Sequence, residues 1–380
     1  MKLIPRIRPY YDIDELLGVF NVFKKNQREA FEKEFARKFK NKFAIFLPYG
    51  RVALYLFLRA LNIKGKEIIC PAFTCNTVAQ AIVLSGNIPV FIDCDKNSFN
   101  MDIQLLERNI SEKTAAIVAV HMFGYPLDVI TLNDIVKESE NKIGRKIYII
   151  QDVAQSFGAT WKGYLPTQFG DVSIFGLGVS KIINSISGGM LTTNDEKIYR
   201  LVKEISLKFL KKPKSIDSLR KLLRFLSYFF LIREKSYFAI DFLERTKLLS
   251  FLKKYYREDV IEFPDDWNII PSEIQVRVGL IQLKKYDAIV TIKRENAKRW
   301  MERLEGTDVY FFPYNPEATY SRCIGLSKRR EYWIDFFRKK GFQLGTVNYL
   351  LPYMKAFKPY RRGDYPVALK HNMENIIFPS

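Results

Sequence analysis

Short apolar runs alternate with helical stretches through residues 43–152, and this alternation constrains the fold more than any other property of the chain. The runs cover residues 43–47, 67–72, 88–93, 114–121 and 146–152. Between them, residues 51–61, 73–84 and 132–139 carry helical spacing. Parallel strands need long crossover connections, so strands and helices in this order imply an α/β fold with a mostly parallel sheet. In such sheets ligands collect at the carboxyl ends of the strands. Asp152 closes the fifth run, which puts it and Ala154-Gln155-Ser156 where function is expected. An aspartate there also suits a helix cap.

A second block, residues 170–193, reads strand, glycine-rich bend, one lysine, Gly188-Gly189, strand. A lysine held between two buried strands loses the water that stabilises its ammonium, and its pKa falls. The neutral amine can then attack a carbonyl. Taken alone, Lys181 could equally be a loop lysine reaching solvent. Upstream, Pro48-Tyr49-Gly50 breaks the first strand and leads into the apolar helix from Arg51. A glycine turn entering a helix N-terminus is a ready anion site, because unpaired N–H groups and the helix dipole face the incoming charge. Arg51 in the first turn opposes that dipole, which suits a phosphate ligand or an exposed turn arginine.

At 380 residues, with 48% hydrophobic residues, the chain is long enough for a large domain and a smaller one. Its formal charge of +20 favours anionic partners, or a lysine-rich solvated surface. No RNA- or DNA-reading motif is present, so no nucleic-acid partner is expected. The four cysteines, Cys70, Cys75, Cys94 and Cys323, form no CxxC pair, and the histidines are His121 and His371. A metal site is not expected. Scattered cysteines and the absence of a signal-like apolar start place the expected location in the cytoplasm.

Several segments together resemble the DegT/DnrJ/StrS family of sugar aminotransferases. They are Tyr49-Gly50-Arg51-Val52-Ala53-Leu54, Cys70-Pro71-Ala72-Phe73-Thr74, Pro89-Val90-Phe91-Ile92-Asp93, His121-Met122-Phe123-Gly124, Asp152-Val153-Ala154-Gln155-Ser156-Phe157-Gly158-Ala159, and Lys181 with Gly188-Gly189. The resemblance implies a pyridoxal 5'-phosphate (PLP) transferase of fold type I, aspartate-aminotransferase-like. It also implies a large domain with a mostly parallel seven-stranded sheet and a small C-terminal α+β domain. By the same resemblance Lys181 is the Schiff-base and proton-shuttling lysine. Asp152 pairs with the pyridine nitrogen, Gln155 contacts the phenolic oxygen, and Gly50, Arg51 and Val52 form the phosphate turn. Relatives that dehydrate their substrate carry histidine at the lysine position, so Lys181 favours transamination. The expected reaction moves an amino group from glutamate to a keto sugar, one linked to a nucleotide, in a homodimer with shared sites. Another PLP reaction, or an inactive binding module on the same fold, are the alternatives.

The departures from the family pattern are local. A phosphate-binding serine common in the family is Gly176 here, leaving Ser180 or Arg51 as substitutes. Ile186-Ser187-Gly188-Gly189 replaces Gly-Glu-Gly-Gly. Cys75 stands where an aromatic stacks on the cofactor ring, with Phe73 as a second candidate. Asn268, in Asn268-Ile269-Ile270-Pro271-Ser272-Glu273-Ile274-Gln275, matches an asparagine that reaches the neighbouring subunit's phosphate. The expected divisions are 1–202, a basic helical insert at 203–266, and 267–380, ending on what resembles the family's penultimate strand. The insert's residues 203–235 interleave ten Lys/Arg and three Asp/Glu with apolar residues. Such a segment suits contact with an anionic membrane, or packing over the large domain or a dimer partner.

Overall fold

The computed structural model describes residues 3–21, 27–234, 236–238, 241 and 260–379. Seven strands form the main sheet: β1 (Phe43–Leu47), β2 (Glu67–Pro71), β3 (Ile88–Ile92), β4 (Thr114–Val120), β5 (Tyr148–Asp152), β6 (Val172–Gly176) and β7 (Gly189–Thr193). Their order is β1-β7-β6-β5-β4-β2-β3, and β7 runs antiparallel to both its neighbours. The remaining pairs are parallel. Each expected strand therefore exists, with ends within two residues of those expected from sequence.

Successive side chains of a strand point to opposite faces. Ile68 and Cys70 of β2, with Ala116, Val118 and Val120 of β4, pack on one face. Ile69, Ile117 and Ala119 pack on the other. Both faces are covered, which explains why these strands read as continuous apolar runs. The first face holds helices α3 (Gly50–Ala60) and α4 (Asn76–Leu84); the second holds α6 (Val129–Ile143). Helices α1 (Ile13–Phe20), α2 (Arg28–Lys38) and the short α5 (Leu106–Asn109) complete the N-terminal half. Phe31, Phe35 and Phe39 interlock with Phe157 and Phe175 in edge-on and tilted pairs. The spacing of Phe20, Phe23, Phe31, Phe35 and Phe39 in the sequence suits one amphipathic helix over residues 13–40; the described residues there form two, α1 and α2, and Phe23 lies outside the described residues.

Helix α7 (Glu196–Phe209) continues through position 203, and α8 (Ser215–Leu231) follows. Helix α9 (Glu273–Arg303) starts at a capping box between Ser272 and Gln275. The C-terminal part pairs β8 (Cys323–Leu326) with β9 (Asn375–Phe378), flanked by α10 (Arg330–Lys339) and α11 (Pro366–Glu374). Its Ile324, Trp333, Phe337 and Ile376 share one buried cluster with α3 and α4. Asp93, at the end of β3, accepts hydrogen bonds from the backbone N–H groups of Val367 and Ala368 at 3.1 and 2.8 Å. The C-terminal helix is thereby tied to the large sheet. No described helix is long and apolar enough to cross a membrane.

Candidate active site

A cavity of about 760 Å³ opens at the carboxyl edge of the sheet. Its walls come from Val120, Asp152 and Gly176 at strand ends, from the mouth of α3, from the start of α4 and from the 178–188 loop. Of the residues singled out from the sequence, Gly50, Arg51, Cys75, Asp152, Gln155, Ser180 and Lys181 line it. Val52 and Asn268 do not. Val52 is fully buried, and its N–H goes to Tyr49 O at 3.1 Å. Asn268 accepts a hydrogen bond from Lys211 N–H through its carbonyl at 2.7 Å.

Lys181 follows β6 in a tight turn, its N–H bonded to Gly178 O at 3.0 Å. A side-chain carbon at Gly176 would sit 3.2 Å from Lys181 Cε and 3.5 Å from Ala154 Cβ. The glycine at that position therefore leaves the room that the lysine chain occupies. Burial and the Arg322 guanidinium lower the Lys181 amine to about 8, while Cys75 and Asp152 act in the opposite sense. Burial raises the Asp152 carboxyl; the Ala154 N–H, 3.0 Å from Oδ1, and the Lys181 charge offset part of that rise. The pair is thus an amine and a carboxylate, each made reactive by burial and restrained by the other.

Behind Asp152 the scaffold is closely bonded. His121 N–H donates to Asp152 O at 3.1 Å. His121 Nδ1 accepts from Leu127 N–H at 2.9 Å, which places the ring proton on Nε2, directed at Gln151 Oε1 2.8 Å away. Burial drops the His121 pKa to about 4, so the ring is neutral at physiological pH.

At the opposite edge, Gly50 opens α3, where backbone N–H groups lack intrahelical acceptors. Gly189 packs against this turn. A side-chain carbon at Gly189 would overlap Gly50 N and the Tyr49 carbonyl carbon and stand 2.6 Å from Tyr49 O. One at Gly188 would stand 2.7 Å from the Phe46 ring. The Gly-Gly pair is therefore the consequence of β7 passing directly under the mouth of α3. Arg51 turns its Nη1 to Gln80 Oε1 at 2.9 Å.

Two buried polar atoms at the cavity have no hydrogen-bond partner among the described residues: Gln155 Oε1 and Thr74 Oγ1. Burying such atoms unpaired costs about 1–3 kcal/mol each, a cost that a polar ligand removes. A carboxylate for a ring nitrogen, an amine of lowered pKa, an anion-binding helix mouth and a glycine-lined turn together fit PLP. The sequence reading missed Thr74 as a ligand-facing group, although it stands inside a quoted segment. It also missed Arg322, whose charge acts on Lys181, and the α8 residues Leu223, Arg224, Ser227 and Tyr228, which line the cavity. Nothing local marks those residues; only the packing of α8 brings them in.

The arrangement of sheet, antiparallel seventh strand and edge cavity is that of fold type I transferases. A putative sugar aminotransferase, Spr1654 from Streptococcus pneumoniae in its PMP form, superposes with a TM-score of 0.77 over 99% of this chain and 94% of that one, at 21% identity. The DegT/DnrJ/EryC1/StrS aminotransferase family model matches residues 14–221, more than half of the chain. The chain belongs to this family. It is 32% identical over 366 residues to the spore coat polysaccharide biosynthesis protein SpsC of Bacillus subtilis, covering 92% of this chain and 84% of that protein. To the GDP-perosamine synthase of Escherichia coli O157:H7 it is 36% identical over 177 residues, 46% of this chain. The chain spans about half the length of that synthase.

Proposed function

We propose that this protein is a PLP-dependent aminotransferase that moves the amino group of glutamate to the ketone of a nucleotide-linked sugar, in amino-sugar and surface-polysaccharide biosynthesis. The observation that carries the reading is the meeting of Lys181 and Asp152 at the carboxyl edge of the sheet, in a chain of this family. When bound, PLP supplies the electron sink for the substrate carbon. Asp152 would hold the proton at the pyridine nitrogen. Gln155 Oε1 and Thr74 Oγ1 would face the ligand, and the mouth of α3 would take the phosphate. Lys181 would hold the cofactor and would serve as base and acid for the proton at the substrate carbon. Burial and the Arg322 guanidinium hold the Lys181 amine near 8, which favours the neutral form that a base requires relative to an ordinary lysine.

We read the protein as a cytoplasmic homodimer. Asn268 stands outside the cavity of its own chain, as a residue serving the neighbouring subunit would, and α1 and α8 carry exposed Leu17 and Leu219. Of the α8 phenylalanines, Phe225 and Phe229 are buried against Val19, Ile186 and Val278, while Phe230 is exposed. This supports α8 packed on protein rather than on a membrane, and co-sedimentation with anionic vesicles at low salt tests that reading.

The function is tested by incubating the purified protein and PLP with glutamate and a panel of nucleotide-linked keto sugars. The expected result is 2-oxoglutarate in equal amount to an amino sugar. Loss of a sugar hydroxyl without formation of an amino sugar would assign dehydration instead. A wild type that takes up no PLP would leave the binding-module alternative.

A further inference from the structure

The chain has four cysteines, and all four lie among the described residues. Cys70, Cys94 and Cys323 are core residues, 0%, 2% and 0% exposed. Burial pushes their thiols up, so they stay protonated and inert. Cys75 differs. It is partly exposed, and it lines the cavity that also holds Lys181 and Asp152. A thiol reagent acting on the folded chain therefore meets one cysteine, and meets it inside the cavity.

The wall around Cys75 faces a ligand on independent grounds. Its neighbour Thr74 is 1% exposed, lines the same cavity, and has no hydrogen-bond partner for its Oγ1 among the described residues; the same holds for Gln155 Oε1. Both atoms call for a polar molecule in the cavity. The wall itself is fixed. Thr74 N–H donates to Tyr349 O at 3.0 Å, and Leu351 N–H donates to Ala72 O at 2.9 Å. The Cys75 sulfur sits at the start of α4, where it accepts from Thr77 Oγ1 at 3.3 Å and donates to Asn76 Oδ1 at 3.8 Å. Cys75 and Asp152 both stand within electrostatic reach of the Lys181 amine. A molecule held by Lys181 and Asp152 thus lies beside the Cys75 sulfur.

Thiol–disulfide exchange is the reaction open to such a residue. The Cys75 sulfur, as thiolate, attacks one sulfur of a low-molecular-weight disulfide. A new S–S bond forms at Cys75, the reagent's own S–S bond breaks, and one half leaves as a thiolate that takes up the proton Cys75 gave up. The reagent is the only oxidant required. The other half of the reagent stays on the cavity wall. We propose that Cys75 is a thiol-modification site within the cofactor cavity, and that its mixed disulfide with a small thiol and bound PLP exclude each other. This rests on the reading of the cavity as the PLP site. Bound PLP shields the thiol, and the mixed disulfide keeps a cofactor-free chain from loading until a reductant restores the thiol.

The test treats cofactor-free and PLP-loaded protein with glutathione disulfide and locates the adduct by peptide mass spectrometry. Fragment ions are needed, because Cys70, Cys75 and Cys94 share one tryptic peptide. In the cofactor-free chain the adduct is expected at Cys75 and not at Cys70, Cys94 or Cys323. With PLP at about ten times its Kd, about a tenth of the sites are free, so modification slows about tenfold. Treated cofactor-free protein takes up PLP, read by visible absorbance, in proportion to its unmodified fraction, and a reductant restores full uptake. Cys75→Ser takes up the same PLP before and after treatment; the adduct map in wild type stands without that variant. Modification of another cysteine first, equal rates with and without PLP, or full PLP uptake by chains that carry the adduct would each overturn the proposal. Untreated wild type that takes up no PLP would instead refute the cofactor reading, and the adduct map would still decide whether Cys75 is the reactive thiol.

Discussion

Replacing Gly189 by alanine tests whether the turn at Gly50 is held from below by β7. The added methyl would overlap Gly50 N and the Tyr49 carbonyl carbon and stand 2.6 Å from Tyr49 O. These are backbone atoms, so no rotamer change relieves the overlap. Gly189 is also held on both sides, opposite Leu47 in β1 and Gly176 in β6. Overpacking of a core costs about 1–3 kcal/mol, and a contact that only backbone movement can relieve belongs in the upper part of that range. With a urea slope near the top of the ~1–3 kcal/mol/M span, the unfolding midpoint falls by about 1 M. The mouth of α3 is displaced by the same movement, so PLP affinity, titrated by its visible absorbance, falls as well. Gly363→Ala is the control, because no atom lies within 4 Å of its added carbon. Its effect stays within about 0.5 kcal/mol. A Gly189→Ala protein with the wild-type midpoint and wild-type PLP affinity would refute the reasoning.

Two further outcomes follow from the charges at the site. In cofactor-free protein, Lys181→Met is more stable than wild type at pH 7 by about 2 kcal/mol, the scale of the lysine's lowered pKa less solvent screening. Below pH 8 the lysine is charged in both folded and unfolded chains and its burial cost is fully present. Between about 8 and the unfolded value of 10.5 the folded form loses its proton first, so the wild type gains stability with rising pH and the difference closes; urea melts at pH 7 and pH 10 measure this, and a difference that widens contradicts it. Asp152→Asn leaves stability unchanged or raised, since burial already works against its charge, but lowers turnover on the order of a hundredfold by removing the group that keeps the ring nitrogen protonated; turnover near wild type would remove Asp152 from that role.

The parts of the fold visible in the sequence are those set by local pattern. Ile68 and Ile69, or Ile117 and Val118, are apolar because both faces of the sheet are covered, and short apolar runs between helices announce that arrangement. Lys181, Asp152 and the Gly50 turn were legible because each stands at a strand end, where the fold itself directs residues to the ligand. Helix α4 begins at Asn76 rather than Phe73 because Thr74 N–H goes to Tyr349 O at 3.0 Å and Phe73 bridges Leu350. A partner so distant in the chain leaves no local signal. The same holds for α8, whose apolar spacing reads as an amphipathic surface helix. One of its faces is buried and the adjacent one lines the cavity, and only the hydrogen bonds of Lys221 Nζ and the Tyr49 hydroxyl to Asp266 decide which. Gly176 is the reverse case: the missing serine was visible, but the closeness of the Lys181 chain, 3.2 Å from a carbon placed there, was not.

The most direct test of the account is to find the lysine that holds the cofactor. The PLP-loaded protein is reduced with borohydride, digested and analysed by mass spectrometry. The account predicts loss of the visible absorbance band and a phosphopyridoxyl group on the peptide containing Lys181, with no band in Lys181→Ala. A stable adduct on another lysine, or a wild type with no reducible band, would contradict it.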